Sequence, residues 1–145
     1  MKISELMQSK SKEVWSISPE ATVYEALEYM ASKSVGALAV AIDGELVGML
    51  SERDYARKVI LSGKSSKDTI VKDIMTSHVF YTSLEEDMES CLAKMNKHRI
   101  RHMPVVEDGK LVGMISIGDV VKQIISDQQY TIQQLENYIS WEESY

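Results

Sequence analysis

Two seven-residue segments carry the side chains best suited to chemistry. Gly48-Met49-Leu50-Ser51-Glu52-Arg53-Asp54 and Gly113-Met114-Ile115-Ser116-Ile117-Gly118-Asp119 each place a serine three residues before an aspartate. That spacing suits a helix start, where side-chain oxygens satisfy backbone N–H groups that lack helical partners. The same carboxylate can accept both hydroxyls of a ribose, and the serine can bond a ribose or phosphate oxygen. Capping and ligand binding both fit these residues. A third segment, Lys97-His98-Arg99-Ile100-Arg101-His102, holds two of the four arginines and two of the three histidines. It reads either as a helix end whose cations offset the dipole or as an anion site.

The composition removes several other chemistries. The chain has 145 residues, 44% hydrophobic and 26% charged, a composition of folded rather than disordered proteins. Its longest apolar stretch, Val35 to Ile42, is far short of the roughly 20 residues that cross a bilayer. The opening Met1-Lys2-Ile3-Ser4-Glu5-Leu6 lacks the apolar core of a signal peptide, so a cytoplasmic location is expected. A net charge of −6 disfavours an extended grip on nucleic acid. The one cysteine, Cys91, allows neither an internal disulfide nor a CxxC metal knuckle. His78, His98 and His102 are not spaced as a metal set with it. No Walker P-loop, GxGxxG, HExxH or nucleophile elbow is present, so no enzyme activity and no required metal are expected.

The elements that position these residues come as a repeat. At a shift of 65 residues, 15 of the 47 positions from Val14 to Ile60 are identical without a gap. Each copy reads as β-α-β-β-α. A short β-rich run (Val14 to Ser18; Val79 to Thr82) leads to a helix with apolar residues at i, i+3, i+4 and i+7. These are Val23, Ala26, Leu27 and Met30, then Met88, Cys91, Leu92 and Met95, which mark core filler rather than reactive groups. Thr22 with Glu25 predicts a capping box, and Asp87 a cap for the second helix. Asp43-Gly44 and Asp108-Gly109 predict two hairpins. Helices Glu52 to Leu61 and Ile117 to Ser126 follow them.

Short similar segments, Ile3 to Met7 and Val71 to Met75, precede the copies at a shift of 68. The Gly-, Ser- and Lys-containing run Ser62 to Thr69 predicts a surface linker. The domain reading is one repeat over 1–66, a second over 67–127 and a helical extension over 128–145. Thr131-Ile132-Gln133-Gln134 predicts a cap for a separate last helix through Tyr138, with Ile132, Leu135 and Ile139 as its apolar stripe. Tyr138 and Trp141 could extend that stripe, against the module itself or against a second subunit.

The Gly-hydrophobic-hydrophobic-Ser-x-x-Asp ending of each hairpin, the element order and the tandem copy resemble a pair of CBS domains, a Bateman module. The resemblance spans roughly Met1 to Ser126. It implies an α+β fold of two tandem repeats with pseudo-twofold symmetry, their three-stranded sheets packed together around two clefts. It also implies adenosine-containing ligands: AMP, ADP, ATP, S-adenosylmethionine, or a dinucleotide such as NAD(H).

In that picture the first cleft takes Met49, Ser51, Arg53 and Asp54 from one copy. Thr82, Ile100, Arg101, His102 and Met103 come from the other, with Arg101, His102 and Arg53 on phosphate. The second cleft takes Ser116, Gly118 and Asp119 facing Val35, Gly36 and Ala37, with Ile17. It keeps the ribose contacts but lacks the cations, because Gly36 and Ala37 stand where Arg101 and His102 do and Gly118 replaces Arg53. The expected function is a nucleotide-sensing regulator that acts in trans on an unknown protein, as a homodimer. The alternative is an interaction or dimerisation module whose clefts are vestigial.

Overall fold

The computed structural model describes residues 1–9 and 14–143, with side chains as far as Ser140. Helix α1 (Ile3–Ser9) precedes β1 (Ser16–Ile17), α2 (Val23–Lys33), β2 (Ala37–Ile42) and β3 (Glu45–Ser51). Helix α3 (Glu52–Tyr55) continues without a break into a π-helical turn, Ala56–Ile60. A 3-10 turn, Val71–Asp73, then leads to α4 (Met88–His98), β4 (His102–Glu107), β5 (Lys110–Ser116) and α5 (Ile117–Glu143).

The repeat is visible in the backbone. In both hairpins the Asp-Gly pair supplies two positive φ values, 51° and 81° at Asp43-Gly44 and 50° and 76° at Asp108-Gly109. That is the type I′ turn, whose twist matches its strands. Both hairpins carry a register shift at the same place, Val40/Ala41 and Val105/Val106. The strands join in the order β1-β2-β3-β5-β4, and Glu45 opposite Lys110 is the only paired position between β3 and β5. The β-rich run predicted over Val79 to Thr82 reduces to a single bridge, Thr82 to Val105, so the two expected three-stranded sheets are one sheet of five strands.

Two hydrophobic cores form, and the chain crosses between them. Val23, Met30, Leu38, Val40 and Leu50 of the first copy bury Val71 and Ile74, which precede the second. Met88, Cys91, Met95, Met103 and Ile115 of the second copy bury Ile3 and Leu6, which precede the first. Each such side chain contributes roughly 1.5–3 kcal/mol by leaving water, so the exchange ties the copies together. It also caps the helices. The Met88 N–H donates to the Met1 carbonyl (2.8 Å), while Asp87 occupies the cap position without a side-chain cap bond, contrary to expectation. Thr22 accepts from the Glu25 N–H at 3.1 Å, which is one half of the capping box predicted there. Burial pushes the Cys91 thiol up, as befits a core residue.

Helix α5 corrects another expectation. It runs unbroken for 27 residues, because Asp127-Gln128-Gln129-Tyr130 holds no glycine or proline to stop it. Thr131 does not cap a new helix, and its hydroxyl donates back to the Asp127 carbonyl at 3.1 Å. Residues 128–140 are exposed, so the described part of the chain leaves Ile132, Leu135, Tyr138 and Ile139 uncovered. The Trp141 side chain lies outside the described residues. No helix among the described residues is long and apolar enough to cross a membrane.

Candidate ligand-binding cleft

The first seven-residue motif ends β3 and starts α3. Ser51 accepts from the Asp54 N–H at 3.1 Å, and Asp54 Oδ2 accepts from the Ser51 N–H at 3.0 Å and its hydroxyl at 3.1 Å. The second motif repeats the cap, with 3.1 Å from the Asp119 N–H to Ser116 Oγ and 2.9 Å from the Ser116 N–H to Asp119 Oδ2. Capping is therefore realised at both motifs. It leaves Asp54 Oδ1 outside the cap, 3.3 Å from Lys58 Nζ.

A cleft of about 460 Å³ opens beside the first motif. The first copy lines it with Met49, Ser51, Glu52, Arg53 and Asp54, and the second copy with Arg99, Ile100, Arg101 and His102. Thr76, His78, Val79 and Phe80 complete the lining. The Phe80 ring stacks on His98, with centroids 3.8 Å apart and planes inclined by 16°. The guanidinium groups of Arg53, Arg99 and Arg101 have no hydrogen-bond or ion-pair partner among the described residues. Three guanidiniums around one cleft offer charge and donors of the kind an anion takes, beside the carboxylates of Glu52 and Asp54. The Ser51–Asp54 pair beside them supplies acceptors for hydroxyl groups.

The structure thus brings together Met49, Ser51, Arg53, Asp54, Ile100, Arg101 and His102 from the predicted first cleft. Gly36 and Ala37, predicted for the second cleft, also line this one. The reason is the sheet: Ala37 pairs with Ser51 in β2–β3, and the Glu52 N–H donates to the Gly36 carbonyl at 3.0 Å. By the same geometry Arg101 and His102 sit between the motifs. Their backbone joins the second, through His102 opposite Ser116 and Ile117 N–H to the Arg101 carbonyl (2.8 Å), and both residues line the first cleft.

Other predicted residues lie elsewhere. Thr82 is 1% exposed and gives its hydroxyl to Glu86 in a shallow neighbouring groove. Met103 is in the second core, where Cys91 Sγ approaches its sulfur at 3.6 Å. Ile17 pairs with Val40, and with Val35 it packs on the first core. Ser116 ends β5, Gly118 and Asp119 lie in the first turn of α5, and none of the three lines this cleft. Sequence reasoning missed Glu52, Thr76, His78, Val79 and Phe80. They come from the motif's unassigned position and from a connection without a motif. Arg99 was visible only as part of the basic run. Among the described residues, no three His, Cys, Asp or Glu side chains converge as a metal site.

Comparison with known proteins gives a consistent picture. The model of the CBS domain family matches residues 3–60 and again 71–126. The CBS domain-containing protein CBSX3, mitochondrial, of Arabidopsis thaliana is 40% identical over 147 residues, covering 94% of this chain and 71% of its own. A solved CBS-domain protein from Burkholderia ambifaria MC40-6 has a TM-score of 0.83 at 41% identity, over 88% of this chain and 96% of its own. The CBS domain pair of protein MJ0100, solved with 5′-methylthioadenosine and S-adenosyl-L-methionine, has a TM-score of 0.76, over 88% of this chain and 98% of its own. At 22% identity its likeness is one of fold.

Proposed function

The chain belongs to the CBS domain family, and from that premise we propose that it is a non-enzymatic regulator that binds an adenosine nucleotide in its cleft and acts in trans on a partner protein. The observation that carries this reading is that Arg53, Arg99 and Arg101 line the same cleft as the Ser51–Asp54 pair, with no side-chain partner among the described residues. A cleft of about 460 Å³ has the size of a small-molecule site. The ribose hydroxyls donate to Asp54, and the phosphate lies among Arg53, Arg99 and Arg101 with His102 beside them. The base rests on Met49, Val79, Ile100 and Phe80. AMP, ADP, ATP and NAD(H) share these groups. The adenosine compounds in MJ0100 agree in kind with the proposal.

Because the cleft walls come from both repeats, a ligand that bridges them favours one relative placement of the two cores, and a partner can read that placement. The second motif lacks the arginine of the first, having Gly118 at that position, so it takes at most a weaker ligand. A second reading, a protein-interaction module, draws on the uncovered stripe of α5, and the same stripe supports a homodimer. A cytoplasmic location is part of the proposal. Thermal unfolding with AMP, ATP and NAD(H) tests the ligand. At about 100 times its Kd the right compound stabilises the fold by roughly 2.7 kcal/mol. No stabilisation by any of them, with a partner captured through α5, would favour the interaction module.

A further inference from the structure

Lys58 stands one helical turn after Asp54, in the π-helical turn that follows α3. Its ammonium lies 3.3 Å from Asp54 Oδ1 and donates to the Ile74 carbonyl at 2.9 Å. Ile74 is 2% exposed and ends the 3-10 turn whose continuation, Thr76, exchanges both backbone hydrogen bonds with Met49 (2.9 and 2.8 Å). Gly48 permits this seat, since a Cβ there would stand 3.0 Å from the Thr76 carbonyl oxygen. The ammonium is thus anchored to a fixed piece of backbone although its side chain is 45% exposed.

The two oxygens of Asp54 have different duties. Oδ2 already accepts the Ser51 N–H and hydroxyl, so Oδ1 is the oxygen with capacity for a ligand hydroxyl. We infer that Lys58 is a positioning residue that aims Asp54 Oδ1 at the sugar diol. The inference rests on the ribose reading of Asp54 given above. The ammonium fixes the carboxylate plane, and it can also donate to the oxygen of a hydroxyl that Oδ1 accepts from. Together they form a donor–acceptor pair matched to a hydroxyl group. At the shift of the repeat the counterpart is Gln123, whose amide donates to Asp127 instead (3.2 Å). The device belongs to the first cleft.

The test compares AMP with 2′,3′-dideoxy-AMP, which keeps the base and phosphate but lacks the diol. Calorimetric titration of Lys58→Met should show AMP weakened about fivefold, the upper range for a partly exposed charge pair, with the dideoxy compound unchanged. Lys58→Arg should restore most of the loss. Lys58→Gln, the side chain of the second repeat, gives the same comparison should Lys58→Met fold poorly. Equal losses for both compounds, or no loss for AMP, would overturn the inference alone. A wild-type protein that binds both compounds equally would overturn the ribose reading of Asp54, and the role of Lys58 with it.

Discussion

Replacing Asp54 and Asp119 separately by alanine removes two carboxylates with the same structural duty and, in the proposed function, different binding duties. Each carboxylate accepts the backbone N–H of its own serine, at 3.0 Å for Asp54 and 2.9 Å for Asp119. Loss of such a cap costs about 1 kcal/mol, in the range 0.5–2. Asp54 also loses its contact with Lys58, but that lysine is 45% exposed, and screening leaves little of the pair's value. Each variant should therefore lose about 0.5–2 kcal/mol in urea titrations. Binding should separate them. Hydrogen bonds to a charged acceptor are worth about 1.5–3 kcal/mol, so Asp54→Ala should weaken AMP roughly 10- to 150-fold in calorimetric titrations. Asp119→Ala should weaken AMP far less than Asp54→Ala does, because Asp119 does not line this cleft. If Asp119→Ala weakens AMP as much as Asp54→Ala does, the pairing of the basic strand with the first motif is wrong.

Two other outcomes follow from packing. Gly48→Ala places a Cβ 3.0 Å from the Thr76 carbonyl oxygen, a backbone atom, whereas Gly113→Ala meets the flexible end of Met7. Gly48→Ala should cost about 1–3 kcal/mol and Gly113→Ala clearly less, and equal losses in denaturant titrations would contradict the packing argument. Ile132, Leu135 and Ile139 are 54%, 58% and 55% exposed on one stripe of α5, so light scattering should give twice the single-chain mass. Leu135→Lys should shift that mass toward one chain, and a single-chain mass for wild type across a wide concentration range would refute the dimer.

What was legible in the sequence was local or repeated. Asp43-Gly44 and Asp108-Gly109 announce their turns because a type I′ turn needs positive φ at both positions. The Val23–Met30 and Met88–Met95 stripes announce their helices by period alone. The crossing of Ile3 and Val71 into each other's cores was not legible, since their similarity says that they play equivalent parts but not against which copy. Thr131 misled because a Thr-x-x-Gln pattern caps a helix only where one begins, and nothing upstream ends α5. In the cleft, Ser51, Asp54 and Arg101 stood out through motif and charge. Gly36 and Ala37 line the cleft beside Ser51 because sheet register sets them next to it, which the order of the copies does not report. Thr76, His78 and Phe80 reach the cleft from an irregular connection, where no periodicity reports direction.

The central claim is that the first cleft holds a ribose and a phosphate together, and titration of AMP and adenosine into wild type and Arg101→Ala tests it most directly. Wild type should bind AMP more tightly than adenosine. Arg101→Ala should weaken AMP by about 1.5–3 kcal/mol, the worth of a charged hydrogen bond, and leave adenosine nearly unchanged. Equal affinity of wild type for the two compounds, or an equal loss for both in the variant, would contradict the account and return the arginines to a solvated helix end.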